Sequence, residues 1–295
     1  MQIVLKEIEL LNGEIYGYRY KKGGEKTLIL VHGNMTSSKH WDILMENLSD
    51  EFTIYAVDLR GFGISSYKNP INSLEDFSKD LKLFCDSLNL KNFYLMGWST
   101  GGGIVMDFTA DNPEYVKKLI LMESVGTRGY PIFKKDSNGS PTSELIKTKE
   151  EIAKDPIQVI PILKAYEEKN REMLKTIWNM SIYTHNKPSE KKYEEYIDDM
   201  LNQRNLVDVD FALAIFNISE ESNGIISGNA KAKKIKCPVL ILWGKNDIVV
   251  PEKMALDIKN DIGENAKLHY LEDCGHSPII DNINLLKNTV EEFLK

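Results

Sequence analysis

Cysteine is scarce. The 295 residues include only Cys85, Cys237 and Cys274, and no two of them form a Cys-x-x-Cys pair. That argues against a disulfide framework or a zinc site and fits a reducing compartment. Long hydrophobic runs are missing too, since no stretch approaches the ~18 apolar residues of a membrane span. The opening segment, MQIVLKEIELLNGEIYGYRY, alternates instead of joining a basic start to an apolar run. No signal peptide is expected from it, and the cytoplasm is the expected setting. Basic charge is in deficit. A formal net charge of -7 argues against non-specific binding to nucleic acid or anionic membranes. Internal repeats and low-complexity tracts are also lacking.

What remains is a strand–helix rhythm. The first 22 residues read as two alternating strands joined at Asn12-Gly13, a strong hairpin signal. TLILVHG (Thr27 to Gly33), FTIYAVDLRG, NFYLMGWS and VKKLILMES are continuous β-rich apolar runs, as suits strands buried on both faces of a sheet. Helical segments separate them, around Ser38 to Leu48, within SLEDFSKDLKLFCDSLNL and within TGGGIVMDFTADN. Ser73 with Asp76 resembles a capping box with the shorter acid. Such alternation predicts an α/β architecture with a mostly parallel sheet covered on both sides.

The rhythm breaks after Ser124. GTRGYPIFKKDSNGSPT reads as a polar loop, and helical segments follow with breaks near Pro156, Pro188 and Gly224. Alternation resumes with PVLILWG, a helix near Glu252 to Asp261, KLHYLED and a final helix from about Asn282. Residues 1–124 and 233–295 are therefore expected to form the core, with 125–232 as a helical insertion.

Gly97-Trp98-Ser99-Thr100-Gly101 is a G-x-S-x-G, weak alone but placed where a strand passes into a helix. That is the context of a nucleophile elbow, whose sharp turn demands small neighbours, here Gly97 and Gly101. A serine hydroxyl needs a base, and the base needs an orienting acid. Of five histidines, His276 in the loop LEDCGHSP is the best placed base. His269 is expected to pack within its strand, His185 lies in the insertion, His40 caps or packs a helix, and His32 is structural. Asp247, directly beyond PVLILWG, is the expected acid, with Glu123 at the end of LILMES as the alternative. Both lie at strand ends, where such sheets carry their sites. The oxyanion donors are expected to be the N–H of Thr100 and that of Asn34, or alternatively Met35. No metal or organic cofactor is called for.

HGN, DLRGFGIS, GWSTGG, WGKNDIVVP and CGHSP, in this order, resemble the α/β-hydrolase superfamily. The resemblance implies a mostly parallel eight-stranded sheet flanked by helices, with the insertion as a helical cap. It makes Ser99, Asp247 and His276 the triad. HGNMTSS and Trp98 are similar to haloalkane dehalogenases, but those enzymes and epoxide hydrolases use an aspartate where Ser99 stands. GWSTGGG with this cap also resembles bacillus-type intracellular polyhydroxybutyrate depolymerases. The expected activity is ester hydrolysis through an acyl-enzyme, on a small-molecule ester or a polyester. Alternatives are an acyltransferase, a perhydrolase, a C–C bond hydrolase with the same triad, or a non-catalytic ligand receptor. The cap aromatics Tyr166, Trp178, Tyr183, Phe211 and Phe216 either shape an acyl pocket or pack the cap onto the core.

Overall fold

The computed structural model describes residues 2–295. Ten strands and eleven α-helices follow one another along it. Eight strands form one sheet: β1 (Ile3–Glu9), β2 (Ile15–Lys21), β3 (Lys26–Val31), β4 (Phe52–Val57), β5 (Phe93–Trp98), β6 (Val116–Met122), β9 (Val239–Gly244) and β10 (Ala266–Leu271), in the order β1-β2-β4-β3-β5-β6-β9-β10. Only β2 runs against the rest, pairing antiparallel with β1 and β4. The chain steps from β3 to β4 on one side and to β5 on the other. The carboxyl ends of β3 and β5 therefore lie together at a topological switch point, where open α/β sheets bind ligands.

Strand side chains alternate between two cores, as a period of two requires. Ile29, Val31, Leu119, Leu121, Val239 and Ile241 face the core beneath α2 (Leu74–Ser87), α3 (Thr100–Asp111) and α9 (Glu252–Ile262). Leu28, Leu30, Ile120, Met122, Leu240 and Leu242 face the core shared with α1 (Asp42–Asn47) and α11 (Ile283–Leu294). The Asp76 carboxylate accepts from the Ser73 N–H, as the capping signal predicted. In DLRGFGIS, Asp58 accepts from the N–H groups of Ser38 and Ile64, and Arg60 pairs with the buried Asp80. That motif ties loops together.

Between β6 and β9 lie α4 (Lys149–Ile152), α5 (Ile160–Glu167), α6 (Arg171–Ser181), α7 (Glu190–Met200) and α8 (Leu206–Ile215). The stretch expected to be a loop contains a small hairpin, β7 (Phe133–Lys135) with β8 (Pro141–Leu145). Its turn closes on Asp136, whose side chain accepts from the Asn138 and Ser140 N–H groups. The hairpin is short and mostly polar, with β7 half-buried and β8 largely exposed, so no apolar alternation announced it. A short helix, α10 (Pro278–Asp281), precedes α11.

The start of α3 packs unusually close to the sheet. A Cβ on Gly101 would overlap the backbone carbonyl oxygens of Val31 and His32, and one on Gly97 would overlap the Gly101 carbonyl. These atoms are main chain and cannot swing aside. Gly101→Val is expected to lower stability in urea unfolding by about 1–3 kcal/mol, well beyond the effect of Lys79→Val on an exposed face of α2. Equal unfolding midpoints for the two variants would contradict this packing.

Candidate active site

Five loops at the carboxyl ends of parallel strands converge here. Ser99 follows β5 and takes φ 56° and ψ -119°, a strained conformation for a residue with a side chain. Its N–H donates to Met122 and its carbonyl accepts from Val125 and Gly102, so three backbone bonds hold the turn. Gly33, after β3, lies against it: a Cβ there would sit 2.9 Å from Ser99 Cβ. Ser99 and His276 line one cavity of about 390 Å³, with no hydrogen bond between their side chains among the described residues.

Asp247, after β9, meets His276 Nδ1 at 2.8 Å, and both side chains are buried. Its other oxygen accepts from the N–H groups of Val249 and Val250. Burial alone would raise the Asp247 carboxyl, but the His276 ring, through charge and hydrogen bond, outweighs it and holds the group below the ordinary value. The His276 loop is pinned in turn. Trp98 Nε1–H donates to the His276 carbonyl, and the Gly275 N–H donates to Asp281. Neither Trp98 nor Asp281 carried a sequence signal for this task.

Glu123 also sits at this end of the sheet, at φ 45° after β6. The carboxylate on the His276 ring is nevertheless that of Asp247. Glu123 is fully buried behind it and accepts from the Gly244 N–H with both oxygens. Burial first, and then the neighbouring Asp247 charge, push the Glu123 carboxyl well above its ordinary value. It therefore holds its proton to higher pH than an ordinary glutamate does.

Asn34 and Thr100 border the same cavity. Thr100 opens α3, so its N–H has no helical acceptor, and it lies at the positive end of the helix dipole. The Met35 N–H is occupied by the Asn34 side-chain oxygen, whereas the Asn34 N–H has no backbone partner among the described residues. That geometry favours Asn34 over Met35 as a donor.

The other histidines lie elsewhere. His32 Nδ1–H donates to the Gly33 carbonyl while Nε2 accepts from Leu59, and burial lowers its pKa to about 4. His40 stacks on Tyr196, and burial drives its pKa to about 3. His185 is exposed. His269, expected to pack, is exposed as well, because β10 is the edge strand of the sheet.

The cavity wall departs from the aromatic expectation. Of the five aromatics named above, only Trp178 lines it, together with Tyr130; aliphatic residues such as Ile132, Ile162, Ile177, Leu206 and Leu213 form most of the wall. Tyr183 packs edge-on against Trp178 and Tyr193, and Phe216 lies in the core. One acid without a sequence expectation also lines the cavity: Asp210, on the largely apolar helix α8. The available signal was a pair of carboxylates in LVDVDFALAI, of which Asp208 is ion-paired with Lys149.

The alpha/beta hydrolase fold family matches residues 26–283. The chain belongs to this family. It is a hydrolase of that fold, with esterases among its structural neighbours. Among curated relatives, the 2-hydroxy-6-oxononadienedioate/2-hydroxy-6-oxononatrienedioate hydrolase of Klebsiella pneumoniae is 26% identical over 277 residues, covering 92% of this chain and 88% of that protein. An esterase from Exiguobacterium antarcticum superposes with a TM-score of 0.75 at 19% identity, covering 99% of both chains. An esterase from Rhodococcus gives 0.70 at 20% identity, covering 98% of both. No helix among the described residues is long and apolar enough to cross a membrane.

The raised Glu123 carboxyl has a measurable consequence. As pH rises past 4.5 the unfolded chain loses this proton before the native fold does, so the native state binds more protons there and this contribution to stability falls as pH rises. Glu123→Gln removes that contribution. Relative to wild type, the variant should gain stability in urea titrations as pH rises above 5. A difference that stays flat with pH would refute the assignment.

Proposed function

We propose that this chain is a serine hydrolase that cleaves carboxylic esters through an acyl-enzyme. The observation that carries the reading is the Asp247–His276 hydrogen bond beside a cavity that also contains Ser99 on a strained strand-to-helix turn. In this reading His276 removes the Ser99 proton as Oγ attacks the ester carbonyl. Asp247 holds the imidazole in the Nδ1–H tautomer and stabilises its cation. The N–H groups of Asn34 and Thr100 receive the developing oxyanion. His276 then protonates the leaving alcohol and activates the water that releases the acid. Gly97 and Gly101 make the turn possible. Residues 125–232 serve as a cap whose aliphatic wall receives the acyl chain. Three free cysteines are consistent with a cytoplasmic setting.

The curated relatives suggest a second reading, a C–C bond hydrolase acting on a diacid. The cavity speaks against that substrate. No Lys or Arg lines it among the described residues, and it already contains the Asp210 carboxyl. A doubly anionic molecule would find no counter-charge there, whereas a neutral ester would lose little on entering.

A fluorophosphonate should label the wild type, and Ser99→Ala should abolish both labelling and turnover of p-nitrophenyl esters. Retained turnover in Ser99→Ala would sink the proposal. Asp247→Asn should lower kcat by about 10³–10⁴-fold by favouring the wrong tautomer. Glu123→Gln should stay within about threefold, because Asp247 and not Glu123 meets the imidazole; a loss matching that of Asp247→Asn would instead make Glu123 the acid. A chain-length series that includes hydroxybutyrate oligomers separates monomeric esters from polyesters.

A further inference from the structure

Asp210 is a polar group in a place built for apolar ones. Aliphatic residues make up most of the wall around it, and α8 is otherwise apolar on the faces around this residue. One oxygen accepts from the Asn34 amide at 2.9 Å. The surrounding donors are already committed elsewhere. Tyr130 donates to the Val249 carbonyl, Tyr166 donates to Gln203, and Gln203 donates to Asn34 and Asn205. The second oxygen, Oδ2, has no hydrogen-bond partner among the described residues, and Asp210 lines the cavity that contains Ser99. Asp210 is half-buried, and a carboxyl held among apolar neighbours with an unmet acceptor costs stability unless something else repays it.

We propose that Asp210 is a substrate-binding residue that selects esters carrying a hydrogen-bond donor, a hydroxyl or an ammonium group, on the chain lodged in this cavity. The proposal rests on the ester-hydrolase reading above and names its substrate class. Burial pushes the Asp210 carboxyl up to about 7, so a donor that pairs with it also favours its ionised form. Specificity follows from the same physics. A site that hydrogen-bonds a substrate group penalises the analogue lacking it, because its own polar atom is then left unpaired. A purely structural role, holding Asn34 at the oxyanion loop, would affect every ester equally.

The test compares p-nitrophenyl esters of one chain length, unsubstituted or bearing a hydroxyl or an amine at C3 to C6. It uses wild type, Asp210→Asn and Asp210→Leu. In wild type the best-positioned donor-bearing ester should exceed the alkyl ester by about 10-fold or more in kcat/KM. Asp210→Leu should reverse that order. Asp210→Asn, which keeps an acceptor but no charge, should retain part of a hydroxyl preference and lose an ammonium preference, and so tells the two donors apart. Binding is read separately from turnover by the rise in Tm with hexylammonium, hexan-1-ol and hexanoate. Hexylammonium or hexan-1-ol should stabilise wild type more than hexanoate does, and the difference should vanish in Asp210→Leu. Equal Tm shifts from all three ligands, or equal losses on all esters in both variants, would overturn the proposal. If no ester is turned over but the Tm order holds, the ester reading fails while the assignment of Asp210 stands.

Discussion

The close contact between the first turn of α3 and the end of β3 is the constraint on which the site depends. Main chain meets main chain there, with Gly101 against the carbonyls of Val31 and His32. That approach forces Ser99 into a sharp turn and brings it beside Gly33. It also sets the first free N–H of α3 next to the loop that carries Asn34. A residue at such φ and ψ costs on the order of 1–3 kcal/mol. The backbone bonds from Ser99 to Met122, Val125 and Gly102 offset that strain.

The acid side of the site is assembled in layers. His276 rests on Asp247, and Asp247 rests on two backbone N–H groups and on Glu123 behind it. Two carboxyls so close in a dry interior cannot both ionise cheaply, so their proton affinities separate. The one against the imidazole ionises more readily, and the deeper one holds its proton to higher pH. Trp98 adds a tie from the residue before Ser99 to the His276 carbonyl, which couples the two loops directly.

The insertion supplies the remaining wall and is bound to the core by polar contacts rather than by grease alone. Tyr196 donates to Asp42, Asn205 to the Arg60 carbonyl and Gln203 to Asn34. Asn34 thus joins the loop after β3 to α8 through Asp210. The cavity is mostly apolar around one carboxyl, with no Lys or Arg lining it among the described residues.

Most of the core was legible because parallel strands buried on both faces read as unbroken apolar runs. TLILV, NFYLMGW and VLILWG could hardly be anything else. The placement of Ser99 and Asp247 was also legible, since each sits just past such a run, whereas His276 follows the more polar edge strand β10. The β7–β8 hairpin was not, because short, mostly polar strands leave no periodic trace. Nor was the separation of Asp247 from Glu123. Both are acids at strand ends, and only the packing of β6 beside β9 places one on the imidazole and the other behind it. Asp210 shows the same limit. Local sequence specifies which elements form, since propensity and burial pattern act over a few residues. Which side chains share a cavity, and which of them keep a proton, is decided by contacts across 100 residues or more of chain, as between Asn34 and Asp210, and those exist only once the fold has closed.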